Sequence, residues 1–269
     1  MKTKLLAAAV TLTILAATYT LYFLYFTQYD KPTPRAEGGV LDLSGWRFED
    51  DGIVPLDGEW AFYPNELVGP ERFDAAGAPA GEPEAASIRV PGSWTGTMEG
   101  MGAATYRLTI EMGDVATGRS AVFGLKTSAI QMSNRIFVNG EAVGGSGNPA
   151  ITRQAGSENK PYTAYFTLWP GSNEVIVQAA NYHFPAASGI GESIYLGQAG
   201  QISHLRDRAM AHDWITITAF LIMGLYFIGL FSQRQSDRSL LAFGAACVCL
   251  ALFSATRGER GLYNLIEGL

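Results

Sequence analysis

Cysteine is almost absent from this chain. The two present, Cys247 and Cys249, both lie in a late apolar run, so the rest of the chain has no disulfide framework. In a helix a Cys-x-Cys pair puts its thiols about 200° apart, which rules out a shared metal and makes both small apolar residues. Histidine is nearly as scarce. His183, His204 and His212 have no metal-ligand spacing with each other or with cysteine, so no cofactor is expected. Positive charge is thin in the middle of the chain. Between Glu37 and Ser203 there are nine Lys and Arg against nineteen Asp and Glu. An acidic surface repels phosphate backbones, which excludes nucleic acid as a partner. Catalytic signatures are missing too. There is no phosphate-binding Gly-x-x-x-x-Gly-Lys-Ser/Thr loop, and Gly189-Ile190-Gly191 lacks a third glycine because position 194 is Ile. The run Gly144–Asn148 is not a nucleophile elbow, since Asn148 stands two places after Ser146. Single acids such as Glu59 and Glu99 read as solvated or turn residues. The chain is therefore not expected to be an enzyme.

What the sequence does have is oil, unevenly placed. Hydrophobic residues make up 48% and charged residues 16%, and the excess sits in Leu5–Phe26, Trp214–Phe231 and Leu240–Phe253. Residues 1–29 read as a signal anchor or signal peptide. Lys2 and Lys4 precede the apolar run, which ends in Tyr22, Phe23, Tyr25 and Phe26 without a small-x-small site, so an uncleaved anchor fits better. Residues 30–38 form an extended linker. Trp214–Phe231, at about 1.5 Å per residue, nearly crosses a hydrocarbon layer of about 30 Å. It is apolar on every face, unlike a core helix. Residues 232–239 are a polar turn carrying Arg234 and Arg238, and 240–256 form a second span. That hairpin predicts a multi-pass protein of the cell membrane with residues 30–213 extracytoplasmic, the turn cytoplasmic and Arg257 onward outside. Lys2, Lys4, Arg234 and Arg238 favour this orientation. Arg206 and Arg208 oppose it, partly offset by Asp207 and Asp213.

Residues 39–203 have the texture of a β-sandwich. Short apolar or alternating runs recur between Gly and Pro, at 40–48, 53–62, 87–90, 105–112, 120–127, 131–138, 162–168, 174–180 and 193–196. Asn139-Gly140 supplies the positive φ values of a tight hairpin. No helix-period segment of useful length precedes about Ala199. At about 165 residues the region can bury a core without disulfides.

Certain phrases, in order, carry a resemblance: VPLDGEWAFYPNEL, VPGSW, ATYRLTIEM, NRIFVNGEAVGGSGNP and NEVIVQAANY. They resemble galactose-binding-like jelly rolls, and similar phrases occur in the sugar-binding domain of family 2 glycosidases. The nearer resemblance is to the ectodomain of bacterial seven-transmembrane receptors with diverse intracellular signalling modules (7TM-DISM). The final stretch LFSATRGERGLYNLIEGL looks like that family's chain after its second receptor helix. The resemblance covers about Leu41 to Leu269. It implies an all-β jelly-roll ectodomain with α-helical transmembrane segments at both ends. It also implies a receptor's sensor portion that binds a small polar ligand, possibly carbohydrate, or a protein partner. Five more helices and an intracellular kinase, cyclase or phosphatase module would follow in the longer protein, of which this chain would be a fragment or a truncated product. The competing reading is a membrane-tethered carbohydrate-binding or adhesion domain without signalling.

Aromatic side chains give sugar rings flat apolar platforms, and Asn, Arg and acids hydrogen-bond the hydroxyls. Trp94, after Pro91-Gly92-Ser93, either plugs one end of the sandwich or serves as a platform. Trp46 and Trp60 fit the core. Arg135 is expected to be partly buried, in a structural pair or on a ligand. Asn181, Tyr182 and His183 follow a strand directly and form the strongest candidate ligand loop. Residues 204–213 read as a juxtamembrane connector, with Arg206, Asp207 and Arg208 solvated and the whole stiff enough to pass movement to the next helix.

Overall fold

A computed structural model describes residues 9–10, 12–21, 32–73, 85–113, 122–128, 130–153, 156–185, 187–235 and 237–260. The chain divides into two compact units, Met1–Thr33 and Pro34–Leu269. In the first, an apolar helix α1 spans Leu12–Leu21. The outer parts of the expected leader, including its aromatic end, lie outside the described residues.

In the second unit two sheets face each other. The larger is built from β1 (Val40–Leu43), β3 (Gly58–Pro64), β4 (Ala86–Val90), β5 (Gly102–Met112), β7 (Ser133–Val138), β8 (Glu141–Ser146) and β10 (Gly171–Asn181). Its order is β4-β3-β5-β10-β7-β8, with β1 laid parallel to the far end of β5. The smaller has β2 (Val54–Pro55), β6 (Val122–Lys126), β9 (Thr163–Thr167) and β11 (Tyr195–Gln198), in the order β2-β11-β6-β9. Every strand pair except β1–β5 is antiparallel. Along β5, Ala104, Tyr106, Leu108, Ile110 and Met112 fall on one face, because side chains alternate. They meet Phe123 and Leu125 of β6 and Leu196 of β11 in one core, to which Trp60 and Trp94 add the largest buried rings.

The expected sandwich is present, with shifted boundaries. Residues 40–48 were expected as one strand; the strand stops at Leu43, and a short helix α2 (Phe48–Asp51) follows, with Glu49, Asp50 and Asp51 in its first turn. Residues 53–62 split into β2 and β3, each pairing in a different sheet. The expected strand at 120–127 is described from Val122. Asn139 and Gly140 have φ of 50° and 86°, so the hairpin joins β7 to β8 as expected.

Two long helices end the described chain. Helix α3 runs unbroken over Ala199–Gln233, 35 residues, and α4 over Arg238–Ala255, 18 residues. Both are long and apolar enough to cross a membrane, and only 6% and 22% of their most apolar windows are buried. The expected connector at 204–213 is a stretch of α3, whose first turn is already fixed to the sandwich. The hairpin closes where backbones meet at Gly224 and Gly244. A Cβ on Gly224 would sit 3.0 Å from the Gly244 carbonyl oxygen, so only small residues permit this approach. Cys247, Ala251 and Ala255 continue the same buried stripe of α4, while Cys249 faces out.

Candidate functional site

Two neighbouring regions hold the chemistry: a loop cluster at one end of the sandwich, and the junction between sandwich and helix hairpin.

The loop cluster starts where β10 ends. Asn181 is fully buried, and its amide is used up by the loop it begins. Nδ2 donates to the carbonyls of Phe184 (2.8 Å) and Ala187 (2.7 Å), and Oδ1 accepts from the N–H groups of His183 and Phe184. Both donors and both lone pairs are spent, so Asn181 shapes the loop and has nothing left for a ligand. Tyr182 is half-buried and donates its hydroxyl to the Ile151 carbonyl. Burial pushes its phenol pKa up, which keeps the proton on that donor. His183 is exposed, with Nδ1 2.9 Å from Ser157 Oγ. Arg135 was expected to be partly buried but is exposed, because alternation along β7 sends Ser133, Arg135 and Phe137 away from the core. Its Nη2 donates to Asn148 Oδ1 at 3.4 Å. Arg135, Tyr182 and His183 therefore touch one shared segment through Asn148, Ile151 and Ser157. Asn148 and Gly156 close that segment with two backbone hydrogen bonds of 2.8 and 3.0 Å.

Trp94 does not join them. It is fully buried, packs its ring 6.5 Å from that of Phe62, and belongs to the core. A ring with no exposed face cannot act as a platform, so of its two expected roles the structure places it in the plug. Trp46 packs against the same core from a partly buried position, and Trp60 lies inside it.

Below the shared segment, Glu158 works as a brace. Its carboxylate accepts from the Gly147 N–H at 2.9 Å and pairs with Lys160 at 2.8 Å. The hydrogen bond from Lys160, and then that from Gly147, hold its pKa below the ordinary carboxylate value.

The junction is built from α3 and the residues after α4. Gln198 and Gln201 form a reciprocal cap, and Gln201 also donates to the Phe48 carbonyl. Ile202 is fully buried against the outer face of β6. It fits because position 124 is glycine: a Cβ there would sit 3.0 Å from Tyr165 Cδ1 and 3.2 Å from Ile202 Cβ. Tyr165 and Ser203 share a 2.8 Å hydrogen bond between hydroxyls. After α4 the chain comes back to the sandwich. The Glu259 N–H donates to Asp213 Oδ2 at 2.8 Å, and the Glu259 carboxylate pairs with Lys126, the two side chains being 9% and 15% exposed. Arg260 Nη1 donates to the Glu158 carbonyl at 3.2 Å. The loop cluster and the helix hairpin thus meet at Glu158.

Lys126, Glu158, Glu259 and Arg260 escaped the sequence reading. Lys126 closes an apolar strand, and only the alternation Val122, Gly124, Lys126 hints that this strand has a second, covered face. Glu259 carries no local signal, since its partner is 133 positions away. Among the described residues no group of His, Cys, Asp and Glu is arranged to hold a metal ion.

No protein-family model matches the chain, and no curated protein does. Solved structures with similar parts include a GH2 β-galacturonidase from Eisenbergiella tayi (19% identity, TM-score 0.35). A β-glucuronidase from Ruminococcus gnavus (18%, 0.40) and one from an uncultured Clostridium sp. (14%, 0.39) are others. Each match covers 54% of this chain and 24%, 27% and 28% of those enzymes respectively, about a quarter of their length. At such identities and TM-scores, neither activity nor substrate passes from those enzymes to this chain.

Proposed function

We propose that this chain is the sensor portion of a membrane signal-transduction receptor. The β-sandwich lies outside the membrane and binds a small polar ligand, a carbohydrate or a partner through the surface of Arg135, Tyr182 and His183. Helices α3 and α4 cross the bilayer and carry the response to an intracellular module in the longer protein, as the resemblance to 7TM-DISM receptors and their jelly-roll heads implies.

One observation supports this reading above the rest. Helix α3 begins under the small sheet, with Ile202 buried there, and reaches the far end of its apolar stretch without a break. A tether that only held a domain at a surface would need no such stiffness, nor a return contact from Glu259 to Lys126. Whatever moves the sandwich also moves the hairpin, because both attachments are made of packed or paired groups.

The test is topological and then functional. Reporter fusions after Val138 and within the turn at Arg234 are expected on opposite sides of the membrane; a cytosolic Val138 fusion overturns the reading. In the full-length receptor, a Gly-Gly-Ser insertion after Asp213 is expected to abolish ligand-dependent output while expression stays normal. Preserved output in that mutant leaves a tethered binding or adhesion domain as the better account.

A further inference from the structure

A second polar cleft lies away from the loop cluster, between the start of β3 and the end of β4. It has a volume of about 460 Å³, and its charged lining residues are Arg35, Glu37, Asp57, Glu59 and Arg89. That volume suits a ligand of sugar-acid size. The walls are fixed by the backbone. Ala36 donates to the Asp57 carbonyl and accepts from the Glu59 N–H, both at 2.8 Å. Gly58 has φ of 130°, and a Cβ on it would stand 2.3 Å from the Ala36 carbonyl oxygen, so glycine alone lets the two segments close. Cross-strand pairing sets Glu59 opposite Arg89.

Among the described residues, neither guanidinium, Arg35 nor Arg89, forms an ion pair with the three carboxylates beside it. Glu37 and Glu59 are exposed in the same lining, and their carboxylate oxygens can accept from ligand hydroxyls. Guanidinium forks match carboxylates in a two-point geometry. Two cations against three anions leave the lining slightly negative, which favours a singly charged ligand over a phosphate dianion. We infer that this cleft binds a small hydroxylated carboxylate, its carboxylate on Arg35 and Arg89 and its hydroxyls on Glu37 and Glu59. This site is separate from the loop cluster and stands whether or not the helices signal.

The experiment uses the intact chain in detergent or nanodiscs, with gluconate as the probe and sorbitol as its uncharged counterpart. Calorimetry and thermal shift are expected to show gluconate binding, at least tenfold tighter than sorbitol. Arg35→Ala and Arg89→Ala should each weaken gluconate at least tenfold. Both side chains are exposed, so the melting temperature without ligand should barely change. Arg35→Lys and Arg89→Lys keep the charge but lose the fork, and are expected to fall between. His183→Ala should leave gluconate binding intact, which separates this cleft from the loop cluster. Equal binding of gluconate and sorbitol, absence of gluconate binding, or unchanged affinity in both alanine variants overturns the inference.

Discussion

The outer faces of the two sheets are covered in different ways. The four-stranded sheet is covered by α3, with Ile202 fully buried over Gly124 and Lys126 closed in by Glu259. The seven-stranded sheet is covered by residues around Val68 and Phe73, which pack on Tyr63 and Ile176. The Arg107–Glu174 pair lies at 2.6 Å beside them, and Arg107 sits over the Phe73 ring at 4.8 Å. Further along the same face Arg135 stays exposed, and His183 is exposed in the loop that follows β10. One face is committed to the helices, and the other keeps solvent-facing polar groups on a rigid support. A site needs the second arrangement and a coupling element the first.

Substitutions should break that contrast unequally. Lys126→Met leaves the Glu259 carboxylate enclosed without its cation, and about 3 kcal/mol of stability should be lost, read as a lower melting temperature of the intact protein in detergent. Replacing both partners, Lys126→Met with Glu259→Leu, should recover most of the loss, because two apolar groups need no pairing. Gly124→Val drives methyl groups into Ile202 and Tyr165, which should cost about 1–3 kcal/mol and raise hydrogen exchange at Ala199–Ser203. In the loop cluster, His183→Ala should change stability by no more than about 0.5 kcal/mol while weakening any ligand held there. An unchanged melting temperature in Lys126→Met would mean that the two faces are equally loosely covered.

The smallest effect is one of pH. Glu158 has a folded pKa below its unfolded value, so its contribution is present above the unfolded value and fades as pH falls through the folded one. The Gly147 amide should therefore be protected from exchange near neutrality, and its protection relative to the intrinsic rate should fall as pH drops through the folded pKa, while the core strands remain protected. Glu158→Gln should remove that pH dependence.

Much of the architecture was legible because it rests on local chemistry. Alternation in LTIEM and EVIVQAAN fixes which residues of β5 and β10 face the core, and Asn139-Gly140 fixes one hairpin. What was not legible depends on distance along the chain. The break after Leu43 follows from Ser44 N–H turning back onto the Asp42 carboxylate at 2.8 Å, an interaction that a strand pattern does not announce. Burial of Trp94 is decided by Phe62 of β3, far from it in the chain. Within the candidate loop, residue type alone could not separate Asn181 from His183. The polar side chain nearest the strand is consumed internally, and the one two places on is left outside.

The return of the chain at Glu259 has a mechanical consequence. A body held on a single rod can swivel about it, and a turning head would spend its motion without moving the rod's far end. Here the sandwich is clasped twice, by the foot of α3 at Gly124 and by the residues beyond α4 at Lys126, both on the outer face of β6. Two clasps on one strand oppose the swivel that a single one would leave free.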